Sequence, residues 1–143
     1  MNTDFEKYKE LHTKADLSLL PEISQFVKSA FQEFGVPDKV CRQMDIVVEE
    51  LFTNVASYAY PPDAPENPVD ISCGLQDNYL YLIFSDKGVP YNPLKKEDPV
   101  IGIAEEMTIG GYGIFMVKSI MDELEYQYVY EEGRNILRMR KKF

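Results

Sequence analysis

A chain of 143 residues, with 45% apolar and 27% charged side chains, has the size and balance of one globular domain around one core, and it excludes a disordered chain. Fifteen Lys and Arg face twenty-four Asp and Glu, a net charge of −9 that repels a phosphate backbone and argues against sequence-independent nucleic-acid binding. Five of the cations lie within residues 134–143, where there is no acid. Ten cations therefore stand against all twenty-four acids in the first 133 residues, a charge of −14.

The basic end reads as a solvated edge strand protected by Lys and Arg, or as an anion or partner contact. No apolar run approaches the ~20 residues that cross a bilayer. The start, MNTDFEKYKE, lacks the basic and apolar regions of a secretory signal. Cys41 falls in a helix pattern and Cys73 in a strand pattern, without metal-type spacing. Two buried thiols in a cytoplasmic protein, away from membranes, are the expectation.

Residues 5–13 read as a short extended segment with weak alternation. A helix follows, with Asp16 or Ser18 as its cap, Pro21 in its first turn and Glu22 at its positive end. Ile23, Phe26, Val27, Ala30, Phe31 and Phe34 recur at three- and four-residue spacing and make one apolar face, which Gly35 ends. A second helix is predicted from Pro37 to Tyr60. Its buried stripe is Val40, Met44, Val47, Val48, Leu51, Val55 and Ala59, and Pro61, Pro62 and Pro65 stop it.

Val69, Ile71, Cys73 and Leu75 alternate with polar residues as a strand exposed on one face. Tyr79–Phe84 is apolar throughout, which predicts a central strand, and Asp77-Asn78 suits the tight turn between the two. Residues 86–113 are rich in Gly and Pro and read as a long functional loop. A short helix, Gly113–Met121, precedes strands Glu123–Tyr130 and Asn135–Lys142. Helices bunched between strands give an α+β, two-layer sandwich with a mixed, mostly antiparallel sheet and three helices.

Three segments can carry chemistry. Glu50 and Asn54 lie about 40° apart around a helix of ~3.6 residues per turn, on the border of its apolar stripe. A carboxylate and an amide there can hold a hydrated cation or take a proton, or can be a surface acid beside a satisfied amide. Asp86-Lys87-Gly88 follows the most apolar strand. The Asp can accept from a ligand, and the Gly permits close backbone approach; a plain strand-ending turn has the same composition. Gly110-Gly111-Tyr112-Gly113 opens a helix whose free amides suit phosphate, or it is simply a hinge. The Walker pattern and the eukaryotic kinase signatures are absent. His12 is the only His and has no nucleophile elbow to serve. Tyr126, Tyr128 and Tyr130 alternate as one sheet face.

In this order the three segments resemble the N, G1 and G2 boxes of the Bergerat ATP-binding fold of gyrase B, heat-shock chaperones, sensor histidine kinases and MutL. VVEELFTNVASYAY, DKGVPYNP, IGGYGIFMVKSIMDELEY and the ending NILRMRKK look most like the anti-sigma-factor serine/threonine kinases of bacterial partner switching, over about residues 15–142. The resemblance implies a single ATP-binding domain over residues 1–143, with an ATP lid over about 92–112. It implies that Asn54 ligates Mg²⁺ on the ATP phosphates and that Glu50 is the general base. Asp86 would accept from the adenine amine, Gly88 would keep that pocket open, and Gly111 and Gly113 would cradle phosphate.

The implied partners are a STAS-type anti-sigma antagonist, phosphorylated on Ser or Thr, and a sequestered sigma factor, with a homodimer a common arrangement. Two residues depart from the family pattern. Met107 stands where many members carry an Arg before the Gly pair, and Tyr58 where a His is frequent. The first departure leaves open a non-catalytic, ATP-gated binding module of the same fold.

Overall fold

The computed structural model describes residues 4–95 and 112–143. Strand β1 (Lys7–Lys14) leads through a 3₁₀ turn, Leu17–Leu19, into α1 (Leu20–Glu33) and α2 (Asp38–Asn54). A π-helical turn, Val55–Ala59, continues α2. Strands β2 (Pro68–Gln76) and β3 (Tyr79–Asp86) follow, then a 3₁₀ turn at Pro93–Lys95, α3 (Tyr112–Ile120), β4 (Glu123–Val129) and β5 (Arg134–Lys142). Asp16 caps the first 3₁₀ turn, its carboxylate accepting from the Ser18 amide at 3.0 Å and hydroxyl at 2.8 Å. The cap expected for the helix therefore sits one turn earlier, and α1 itself has Leu19 at its N-cap position, without a side-chain hydrogen bond. Gly35, at φ +84°, ends α1 in the left-handed region open to glycine.

The expected apolar faces of both helices enter the core, with Phe26, Val40 and Val55 only partly covered; Ala59, on the turn after α2, is half-buried and outside the core. Phe52 is wholly buried although it lies off the stripe read from the sequence. The reason is that α2 packs against both α1 and α3 as well as over the sheet, so a wider arc of it is enclosed. Cys41 and Cys73 are buried free thiols, and desolvation pushes the Cys73 thiol far up.

The five strands form one sheet in the order β1-β2-β3-β5-β4, antiparallel at every pairing. The two-layer α+β architecture is as expected, but the mixed component of the sheet is not found. β3 and β4 do run in the same direction, yet β5 inserts between them and opposes both. Asp77 and Asn78, at φ 50° and 65°, make the β2–β3 hairpin turn with two consecutive left-handed residues.

The basic end is not an edge: β5 is an interior strand, and β1 and β4 form the edges. Its alternation puts Asn135, Leu137 and Met139 under the helices and Arg134, Arg138 and Arg140 on the open face. There Arg134 donates to Asp70 at 2.7 Å and to Ser85 at 2.8 Å, Arg138 to Gln127, and Arg140 to Glu123 and Tyr81. These cations sit in that strand to pair across the sheet. Among the described residues, no helix is long and apolar enough to cross a membrane.

Candidate functional site

A cavity of about 170 Å³ opens between the end of α2 and the helix-side face of β3 and β5. Leu51, Phe84 and Leu137 supply apolar wall, and Asn54, Asp86 and Asn135 supply polar groups. Asn54 is there because it is the last residue of α2, half-buried between the core residues Leu51 and Val55. Asp86 is there because β3 runs out of the core at that point, with its side chain on the helix side.

The π-helical turn begins directly after Asn54, at the kind of position where such widened turns recur in functional sites. It ends with the Ala59 carbonyl accepting from the Val89 amide at 3.0 Å. Gly88 lies hard against that backbone. A Cβ built on Gly88 would meet the Ala59 carbonyl carbon and Cβ, each at 2.8 Å, and the carbonyl oxygen closer still. Glycine is required here for space. Tyr60 locks the same corner: its hydroxyl donates to the Pro68 carbonyl and accepts from the Lys87 amide at 2.7 Å.

The Asp86 carboxylate accepts through Oδ1 from the Gly88 amide at 2.9 Å and from Asn135 Nδ2 at 3.0 Å. Burial pushes its carboxyl above the ordinary range. The Gly88 amide, the Asn135 amide and the Arg134 charge pull the other way without cancelling that shift. Asn135 is buried on β5, directly across the ladder from Asp86. Its Oδ1 accepts from the Tyr91 amide at 3.1 Å and from the Tyr126 hydroxyl, and Tyr126 also lines the cavity. Tyr126 is therefore more than part of a sheet face.

Glu50 stands one turn before Asn54, half-buried. Its carboxylate lies over Gly113 in the first turn of α3, where a Cβ would fall 3.1 Å from Glu50 Cδ and nearer to Oε2. The fold thus brings Asn54 and Asp86 to one cavity, packs Gly88 on the Ala59 backbone next to it, and sets Glu50 against Gly113. Gly111, Met107 and the lid residues 96–111 lie outside the described residues.

Sequence reasoning missed Asn135, Tyr126 and Tyr60. Asn135 carried one signal: a lone amide among the Leu, Met and Ile residues of a strand is an uncommon core residue unless it is satisfied. A carboxylate at the buried end of a strand, a helix-end amide across a cavity from it, and a glycine-opened helix alongside are the elements of a nucleotide-binding ATPase domain. The chain belongs to the histidine kinase-like ATPase domain family, which matches residues 13–141.

It is similar to the serine-protein kinase RsbW of Staphylococcus aureus, at 23% identity over 95% of this chain and 87% of that protein. Two solved structures share the fold. The RsbU and RsbW domains of Rv1364c from Mycobacterium tuberculosis superpose with a TM-score of 0.64 at 12% identity, over 94% of this chain and 32% of that one. The chain thus spans about a third of that larger protein. The Pseudomonas aeruginosa SiaB–SiaC complex matches with a TM-score of 0.63 at 12% identity, over 94% of this chain and 89% of the other.

Proposed function

We propose that this domain binds Mg-ATP and transfers its terminal phosphoryl group to a Ser or Thr of a STAS-type anti-sigma antagonist, and that it sequesters a sigma factor or similar regulator when that antagonist is phosphorylated. The observation that carries the reading is the meeting of Asn54 and Asp86 at one cavity, with Glu50 a turn away against the start of α3. The similarity to RsbW supports the kinase part.

The residues present suit the ligand. Asp86 has taken both of its hydrogen bonds on Oδ1, and no other bond reaches the carboxylate among the described residues. Oδ2 is left to accept from an exocyclic amine. Gly88 lets the chain after β3 pack on the Ala59 backbone, so no side chain from residue 88 crowds the corner beside Asp86. Asn54 offers one neutral oxygen, which suits Mg²⁺, an ion that keeps waters and phosphate oxygens as most of its shell. Among the described residues no cluster of three or more His, Cys, Asp or Glu forms a dedicated cation cage. Bound Mg-ATP supplies the phosphoryl group and neutralises charge on it.

The protein's own work is placement. Asp86 fixes the base. The amides in the first turn of α3, which Gly113 leaves uncrowded, face the phosphates. Glu50 takes the proton of the partner's hydroxyl as that oxygen bonds to the terminal phosphorus and ADP leaves. Glu50→Gln keeps the shape and removes the base; it is expected to retain ATP binding and to lower phosphotransfer by ~10²–10⁴-fold. Transfer at the wild-type rate would end the base assignment.

Met107, where relatives of this kind often carry an Arg, favours a second reading in which ATP only gates partner binding. Nucleotide-dependent capture of an unphosphorylated partner, with no phosphorylation in either protein, would select it.

A further inference from the structure

Asn135 has a hydrogen-bonding position that admits one orientation only. Its Nδ2 faces three acceptors: Asp86 Oδ1 at 3.0 Å, the Val89 carbonyl at 3.0 Å and the Gly88 carbonyl at 3.3 Å. Its Oδ1 faces two donors, the Tyr91 amide and the Tyr126 hydroxyl. Turning the amide over would set oxygen against three oxygens and NH₂ against the Tyr91 amide, which can only donate, so the network itself fixes which end meets Asp86. Asn135 and Asp86 are both buried, where a mismatched polar group costs most.

We infer that Asn135 is the positioning residue that gives the site its preference for an amino over an oxo group on the purine. It donates to Asp86 Oδ1, holds that carboxylate as a pure acceptor with Oδ2 toward the cavity, and couples it to the segment from Gly88 to Tyr91. The inference rests on the nucleotide reading above. Three physical points support it. A donor on Oδ1 opposes protonation of a carboxylate that burial drives toward its neutral form. A neutral carboxyl would present a hydroxyl, which suits a 6-oxo purine instead. And a site built around buried polar partners rejects a ligand with the wrong donor pattern more strongly than an apolar pocket does.

The probes are ATP and inosine triphosphate, which differ in having an amine or an oxo group at one ring position, with N1 correspondingly an acceptor or a donor. Their Kd values are measured by titration between pH 6 and 8 on the full chain, for wild type, Asp86→Asn, Asn135→Asp and Tyr126→Phe. The wild type should prefer ATP at least tenfold, with little change over this range. Asn135→Asp sets two carboxylates against each other, so one holds a proton, and the preference should fall at least tenfold and move further toward the oxo base as pH drops. Tyr126→Phe removes one of the donors that fix the amide. It should lower the preference about threefold in a protein that folds normally, because Tyr126 is only half-buried.

A wild-type ratio in Asn135→Asp, with the ratio lost in Asp86→Asn, would overturn the role of Asn135 and leave the nucleotide reading intact. If Asn135→Asp does not fold, an unchanged ratio in Tyr126→Phe overturns it. A wild type that binds neither nucleotide overturns the nucleotide reading, and this inference with it.

Discussion

The carboxylate of Glu50, on α2, lies directly over the α-carbon of Gly113 in the first turn of α3. The two residues are 63 positions apart, and the contact exists because α2 and α3 pack side by side on the sheet. A methyl group at residue 113 would meet the end of a flexible side chain, so the side chain would swing away and the backbone would stay. Gly113→Ala should therefore be near neutral in stability, or favourable by up to about 1 kcal/mol from helix propensity. Phosphotransfer should fall at least tenfold while ATP binding changes little. Chemical denaturation and a transfer assay, run on the same preparation, check the split.

Gly88→Ala has the opposite character. Its Cβ would meet the backbone of Ala59, which is itself held by the Val89 amide. Backbone cannot step aside as a side chain does. A loss of about 1–3 kcal/mol in unfolding free energy is expected, together with weakened nucleotide binding. A denaturation midpoint equal to wild type would show that the corner yields more easily than its packing implies.

Asp86 is buried, and burial raises its carboxyl above the ordinary range. A carboxylate whose folded pKa is raised lowers stability at neutral pH, and that penalty is relieved as pH falls through the folded value. Asp86→Asn keeps an oxygen for Gly88 and Asn135 and removes the charge. At pH 7 and without nucleotide it should be as stable as wild type or up to about 1 kcal/mol more stable. Its response to Mg-ATP should vanish, whereas the wild type gains ~2.7 kcal/mol at a hundred times Kd. Thermal melts with and without nucleotide read both effects.

His12 is the sole histidine, so its imidazole resonances are unambiguous. Its Nδ1 lies 2.6 Å from Asp70 Oδ1, and that hydrogen bond holds its pKa above the ordinary 6.5. Burial works against ionisation of Asp70, but His12 and Arg134 outweigh it and hold its pKa down. The His12 contribution is fully present below the ordinary histidine pKa and fades as pH rises through the raised value. An NMR titration should place His12 above 6.5, and Asp70→Asn should return it there.

How far the sequence carried this reading depended on how local each signal was. The Asp77-Asn78 turn, the Gly35 stop and both helix faces were legible because spacing and turn chemistry act over a few residues. The motif order led to Asn54, Asp86 and Glu50. The place of β5 was not legible. Alternating Arg and apolar residues fit an edge strand and an interior strand with a charged outer face equally well, and only pairing across the sheet distinguishes them. Asn135 was hidden for the same reason: its five partners come from β3, β4 and the segment after β3, none within a helical turn of it. Phe52 was missed because a helix packed against two others buries a wider arc than the stripe its spacing marks.

The order of the sheet also bears on how the protein is made. A ribosome delivers β3 and β4 before β5, yet β5 belongs between them. Until it arrives, β3 presents an open row of amides and carbonyls, and Asp86 has no Asn135 beside it. The cavity at Asp86 therefore cannot be completed before β5 is made. A chain stalled short of β5 would hold most of the core, would bind no nucleotide, and would carry a naked strand edge ready to pair with another chain.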